Sequence, residues 1–351
     1  MRRWIGAFAL VAAMVVVAGC GSSSSKSSST SSSSNTSSSS SGSSGSGKKV
    51  VYISPVAAEP GQQQINEGLT KGAGELGWSE NVLDSALSAN KQVSNIELAT
   101  TQKVAAIASW TLNPQAAAGA YTKAQAEGIP VIGMNSEGTG ITSTVWWEDE
   151  QCKAGGPWEK TAQLIAKIHP HAKTIMLGLE VATSTKAEGT CFKKEAEKAG
   201  LKIINYTNNE ADTSSGSQQV FSPLLTKYPE VEAVWCYNDE TALGASAAII
   251  ASGKKVVSAK GGTGIVVTGS NGDADAIQAV EQGRLTLTWD PDNVASGFAA
   301  IDAMNEAIKA GKGSKPADIT VKAQEVDSET ISSYVPPKSR HYTLQSFPRG
   351  A

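Results

Sequence analysis

The sequence is poor in the side chains that most metal and nucleophilic chemistry needs. It has three histidines, two of them in His169-Pro170-His171, and that spacing supplies neither a ligand set nor a shell to orient one, so no metal is expected. No Gly-x-Ser-x-Gly elbow is present. Gly261-Gly262-Thr263-Gly264 precedes an apolar strand-like run instead of joining a strand to a helix, the wrong order for a phosphate-cradling loop. Positive charge is scarce too: 30 Lys and Arg stand against 33 Asp and Glu, which leaves no basic excess for nucleic acid. The acidic runs Glu148-Asp149-Glu150 and Asp290 with Asp292 read as solvated edges. No enzyme activity and no cofactor are expected.

What is present starts at the N-terminus. Arg2 and Arg3 precede the apolar run Trp4 to Ala18, which is short and followed at once by polar sequence, the pattern of a cleaved export signal. The run ends at Val17-Ala18-Gly19-Cys20 and resembles the bacterial lipoprotein signal. That resemblance implies cleavage of residues 1–19, lipidation of Cys20, and anchoring at the outer face of the cell membrane without spanning it. Each buried CH₂ of such an anchor contributes about 0.8 kcal/mol, so stable attachment takes more than one chain. Residues 20–47 are then a Ser- and Gly-rich tether with too few apolar groups to fold, with a reach of roughly 30 Å.

Loss of Arg2 and Arg3 leaves 28 basic against 33 acidic side chains, a net charge of −5. Lipidation of Cys20 would leave Cys152, Cys191 and Cys236 in a disulfide-permissive compartment, enough for one bridge and one free thiol. Cys152 and Cys191, each near a predicted helix start, are the favoured pair, with Cys236 buried in a strand; sequence alone does not fix the connectivity.

From Val50 to Trp289, short β-rich apolar runs alternate with longer segments of helical spacing, the signature of α/β folds with parallel sheets. Strands are expected at 50–54, 104–109, 129–134, 174–178, 202–206, 233–236, 265–269 and 285–289, with helices between. An internal echo sharpens this. Gly128-Ile-Pro-Val-Ile-Gly-Met-Asn135 and Gly264-Ile-Val-Val-Thr-Gly-Ser-Asn271 share Gly, Ile, an apolar pair, Gly and Asn at identical offsets. Two similar Rossmann-like lobes around a central cleft are expected. Their predicted extents are 48–147 with about 290–313, and 148–289 with about 314–333, leaving an irregular tail at 334–351. Ligands of such sheets bind beyond the carboxyl ends of the strands, where Asn135 and Asn271 both fall. As simple turn formers, the two amides need no ligand.

The segments Asn238-Asp239-Glu240-Thr241-Ala242-Leu243-Gly244 and Ala126-Glu127-Gly128-Ile129-Pro130-Val131, with Gly68 and Gly77 in the first helix, resemble the ribose-binding branch of the type I periplasmic binding proteins. The match runs from about Lys48 to Gly311. It implies a monomeric receptor whose two lobes close on a sugar or similar small polar solute and dock on an ABC importer permease. A lipoprotein sensor reporting to a membrane kinase would bind in the same way.

Position by position, the resemblance places Asn238, Asp239, Asn135 and Asn271 at ligand-binding sites. It also departs from the family. The stretch Ala57 to Gln62 lacks the sugar-stacking aromatics and offers only Glu59 and Gln62. The usual Arg of the second lobe is replaced around Lys186 to Phe192, with Glu188 near its position and Lys186 as a candidate substitute. Tryptophans at strand ends take the stacking role: Trp110, Trp289 beside Asp290, and one of Trp146 and Trp147, since strand neighbours face opposite sides. Trp147 is the candidate. Glu59, Asp290 and these rings would also suit a cationic ligand.

Overall fold

The computed structural model describes residues 47–349. The signal at 1–19, Cys20 and the tether up to residue 46 lie outside the described residues. Among the described residues, no helix is long and apolar enough to cross a membrane.

In chain order the first half runs β1 (Lys49–Ser54), α1 (Pro60–Glu75), β2 (Ser79–Asp84), α2 (Ala89–Thr101), β3 (Ala106–Ser109), α3 (Pro114–Ala126), β4 (Val131–Met134) and β5 (Ser143–Trp147). The second half runs α4 (Pro157–Ile168), β6 (Lys173–Gly178), α5 (Thr183–Lys198), β7 (Lys202–Asn208), α6 (Ser214–Lys227), β8 (Ala233–Cys236), α7 (Asp239–Ala251), β9 (Val266–Ser270), α8 (Ala274–Glu281) and β10 (Leu287–Asp290). The chain then returns through α9 (Asn293–Ala310), β11 (Ile319–Val321) and β12 (Gln324–Asp327).

The strands form two six-stranded sheets with corresponding orders, β11-β5-β4-β3-β1-β2 and β12-β10-β9-β8-β6-β7. Every neighbour pair is parallel except β10 with β12. Central strands such as Ala106–Ser109 and Ala233–Cys236 are buried along their whole length, because helices cover both faces of a parallel sheet. Each sheet accordingly lies between two apolar clusters. In the first lobe α9 returns to pack against α1 at glycine distance. A Cβ on Gly68 would lie 2.1 Å from the Val294 carbonyl oxygen, and one on Gly297 would lie 2.2 Å from that of Ile65, so neither position admits a side chain.

Three segments join the lobes: residues 148–156 between β5 and α4, Pro291-Asp292 between β10 and α9, and Lys322-Ala323 between β11 and β12. The last refines the sequence reading, in which residues from about 314 onward belonged to the second lobe. β11 instead completes the first sheet, and only β12 joins the second. Cys152 in the first crossing is bonded to Cys191 on α5, and Cys236 is free and buried in β8.

The tail after residue 334 lacks long elements, but it is anchored. Arg340, almost fully buried, pairs with Asp290 and with Asp292, the latter at 3.1 Å. Tyr334 donates to Asp290 and Tyr342 to Asp292, each at 2.6 Å, while Leu344 and Phe347 enter the first-lobe core.

Candidate functional site

Loops from the carboxyl ends of both sheets converge on a cavity of about 60 Å³. From the first lobe come Val56 and Glu59 after β1, Leu87 after β2, Trp110 and Leu112 after β3, and Trp147 at the end of β5; Gln62 reaches it from α1. The second lobe supplies Leu179, Ala182, Thr185 and Glu188 after β6, Asp212 after β7, Tyr237 and Asn238 after β8, and Asn271 after β9.

The first wall is largely aromatic and apolar. Trp110 and Trp147 meet edge to face, with centroids 4.6 Å apart. Gln92 holds the β3 loop by donating to the Trp110 carbonyl at 2.7 Å and accepting from the Leu112 amide at 2.8 Å. The Trp110 indole N–H crosses to Ser184 Oγ at 2.9 Å, and that of Trp147 donates to Ser296 Oγ at 2.9 Å. Trp146, its side chain on the opposite face of β5, donates instead to Asp318 at 3.1 Å.

Glu59 caps α1, accepting the Gln62 amide at 2.8 Å, and its other oxygen accepts from Asn271 Nδ2 across the cleft at 2.8 Å. Burial pushes its pKa to about 7, against the lowering by these donors. Gln62 Oε1 accepts from the hydroxyls of Tyr52 and Ser54.

The second wall is polar and acidic. Asn238 caps α7, accepting the Thr241 amide at 2.9 Å, and donates to Asp212 Oδ1 at 2.9 Å; Tyr237 donates to the same oxygen. Asp212 has a pKa raised by burial and partly lowered by these donors. Glu188 is buried on α5, and its Oε2 has no hydrogen-bond partner. Burial and the neighbouring Glu150 push its pKa well up. Glu150, reaching about 8, and Asp149, reaching about 6, are buried as well, so of the run expected to be solvated only Glu148 stays partly exposed; Asp149 accepts from Ser270 Oγ at 2.9 Å.

Of the sequence candidates, Glu59, Gln62, Trp110, Trp147, Asn238 and Asn271 line the cavity, whereas five others do not. Asn135, in a left-handed conformation with φ 48°, turns its Oδ1 to the Trp147 amide at 2.6 Å and so positions β5 behind the wall. Asp239 is fully buried between the Thr288 hydroxyl at 2.6 Å and the Asp273 amide at 2.8 Å. Lys186 is exposed, because residues two apart on α5 point to opposite sides and Glu188 takes the inward one. Trp289 belongs to the second-lobe core and donates to Thr161 Oγ1 at 2.8 Å. Asp290 is committed to Arg340 and Tyr334 in the crossing.

Sequence reasoning did not select Asp212, Tyr237 and Glu188. Asp212 and Tyr237 follow strand ends, so the rule that drew attention to the tryptophans reaches them as well, whereas Glu188 lies within α5, beyond that rule. Among the described residues, no cluster of His, Cys, Asp and Glu has metal-site geometry.

A model described as "Periplasmic binding protein domain" matches residues 50–313. The chain is 28% identical over 263 residues to the ribose import binding protein of Bacillus subtilis, covering 74% of this chain and 81% of that one. It is 26% identical over 255 residues to a D-apiose import binding protein of Actinobacillus succinogenes, covering 69% and 77%. The myo-inositol-bound Caulobacter myo-inositol binding protein superposes with a TM-score of 0.72 at 20% identity, covering 84% of this chain and 98% of that one, a likeness of fold. The chain therefore belongs to the periplasmic binding protein family, in its type I, ribose-binding branch.

Proposed function

We propose that this chain is the solute-binding component of an ABC importer, capturing a sugar-like small polar molecule between two lobes that close around it. The observation that carries this reading is a cavity walled by both lobes, with hydrogen bonds running from wall to wall at Asn271–Glu59 and Trp110–Ser184. A solute touching both walls stabilises the closed pair over the open one, and a permease that recognises the closed pair reads out occupancy. The ligand set comprises Glu59, Gln62, Trp110, Trp147, Glu188, Asp212, Tyr237, Asn238 and Asn271. The moving bodies are the two sheets with their helices, and the three crossings are the hinge.

Relatives named for ribose and apiose import support the transport role, and all of them are binding proteins, which supports a non-catalytic one. Export, lipidation at Cys20 and a monomeric state complete the proposal. Solution scattering tests closure: a saturating solute should reduce the radius of gyration, and an unchanged radius under saturation counts against it. Intact-mass spectrometry of membrane-extracted protein, beside Cys20→Ser, tests the anchor. The wild type should carry the lipid mass and partition with membranes, whereas the variant should do neither.

A further inference from the structure

The cavity is unusually one-sided in its hydrogen-bonding capacity. Its side-chain donors are mostly spent within the protein: Trp110 on Ser184, Trp147 on Ser296, Tyr237 and Asn238 on Asp212, Asn271 on Glu59, and Thr185 on a main-chain carbonyl. Of the three side-chain amides lining the cavity, only that of Gln62 has a nitrogen with no partner among the described residues. Acceptors are left over. Glu188 is 4% exposed, lines the cavity and has an unpartnered Oε2, and Asp212 Oδ2 accepts nothing from the described residues. No Lys or Arg lines the cavity.

A neutral polyol brings each hydroxyl as donor and acceptor together, so about half its capacity would meet groups that can only accept when ionised. An ammonium brings three donors and a positive charge. It also compensates buried carboxylates that otherwise lack a counter-ion. Beside the acidic wall stand Trp110 and Trp147, whose faces suit the apolar side of a ring and attract cations.

Resting on the receptor reading above, we propose that the solute is an amine-bearing sugar or cyclitol, with its ammonium on Glu188 and Asp212 and its ring against the tryptophans. Burial and the adjacent Glu150 push the Glu188 pKa up in the empty protein, a cost to its charged form that a bound ammonium offsets.

Matched pairs that differ only at the nitrogen test this. D-glucosamine, D-galactosamine and streptamine are titrated into the full-length protein beside D-glucose, D-galactose, myo-inositol and N-acetyl-D-glucosamine, following tryptophan fluorescence and thermal shift. At least one amine should bind about ten- to a hundredfold more tightly than its neutral or acetylated counterpart. Glu188→Gln should erase that preference while leaving the melting temperature unchanged or higher, because it removes repulsion from Glu150. Asp212→Asn gives a second reading should Glu188→Gln fail to fold. Neutral solutes binding as tightly as the amines, or more tightly, overturn the ammonium while the receptor reading stands. A preference that survives both substitutions overturns the carboxylate assignment. No response to any solute, with no compaction, overturns the receptor reading as well.

Discussion

The two lobes are built alike and furnished differently. Their sheets share one strand order, and each brings the loops after its parallel strands to the cleft, yet the first presents Trp110, Trp147 and Leu112 and the second Glu188, Asp212 and Asn238. The sole topological difference between the sheets is the direction of the sixth strand, parallel for β11 and antiparallel for β12. That reversal follows from a connection of two residues, Lys322-Ala323, which carries the chain from one sheet straight into the other. Scaffold and chemistry are thus separable: the duplicated sheets decide where loops meet, and the loops decide what a ligand meets.

The sharpest way to break this pairing is to remove what ties the lobes at the second crossing. Arg340→Ala leaves Asp290 and Asp292 buried without their cation, a loss of about 3–5 kcal/mol. Calorimetry should show a melting temperature lower by about 10 °C; a change below about 2 °C would mean that the tail does not hold the crossing.

Cys152→Ser follows in size. Opening a bridge that spans 39 residues should cost about 4 kcal/mol, read as a lower denaturation midpoint that reductant reproduces in the wild type and not in the variant.

The acidic wall gives a pH dependence of definite sign. Glu59 at about 7 and Glu150 at about 8 bind protons more tightly folded than unfolded, so their contribution is fully present below about pH 4.5 and is lost as pH rises through those values. Unliganded protein should melt several degrees lower at about pH 8 than at about pH 5.5, and Glu150→Gln should flatten the slope. A melting temperature rising steadily across that range would contradict the burial of these carboxyls.

The smallest effect separates Trp110, just after β3, from Trp146 on β5. Trp110→Phe keeps a ring but loses the bond to Ser184, so solute affinity should fall about three- to tenfold. Trp146→Phe, whose bond to Asp318 lies away from the cavity, should change it less than about twofold. Equal losses in the two would dissolve the distinction between inward and outward faces.

The fold was legible wherever burial imposed continuous apolar runs. The echo ending in Asn135 and Asn271 marks β4 and β9, equivalent strands of the two sheets. β2 escaped because Ser79–Asp84 alternates at a sheet edge and stays half-exposed. β5 escaped because Ser143 and Thr144 dilute its apolar signal, and β11 and β12 because three or four residues carry no period. For the site, closeness to a strand end separated Glu59, Trp110 and Asn238 from the bulk of the chain, but it could not tell which strand ends open on the cleft. β10 ends under the tail, so Trp289 and Asp290 face Thr161 and Arg340 instead. Arg340 stands 50 positions from Asp290 in a stretch without periodicity, a pairing that only the folded chain displays.

The disulfide adds a further consequence. Cys191 follows Glu188 by one helical turn on α5, and Cys152 fixes that turn to the crossing. Thiols in a reducing cytosol stay apart, whereas those beyond the membrane join. The acidic wall is therefore fastened by an oxidation step. Reduction would release the turn that carries Glu188, so the placing of the acidic wall depends on the redox state of its surroundings.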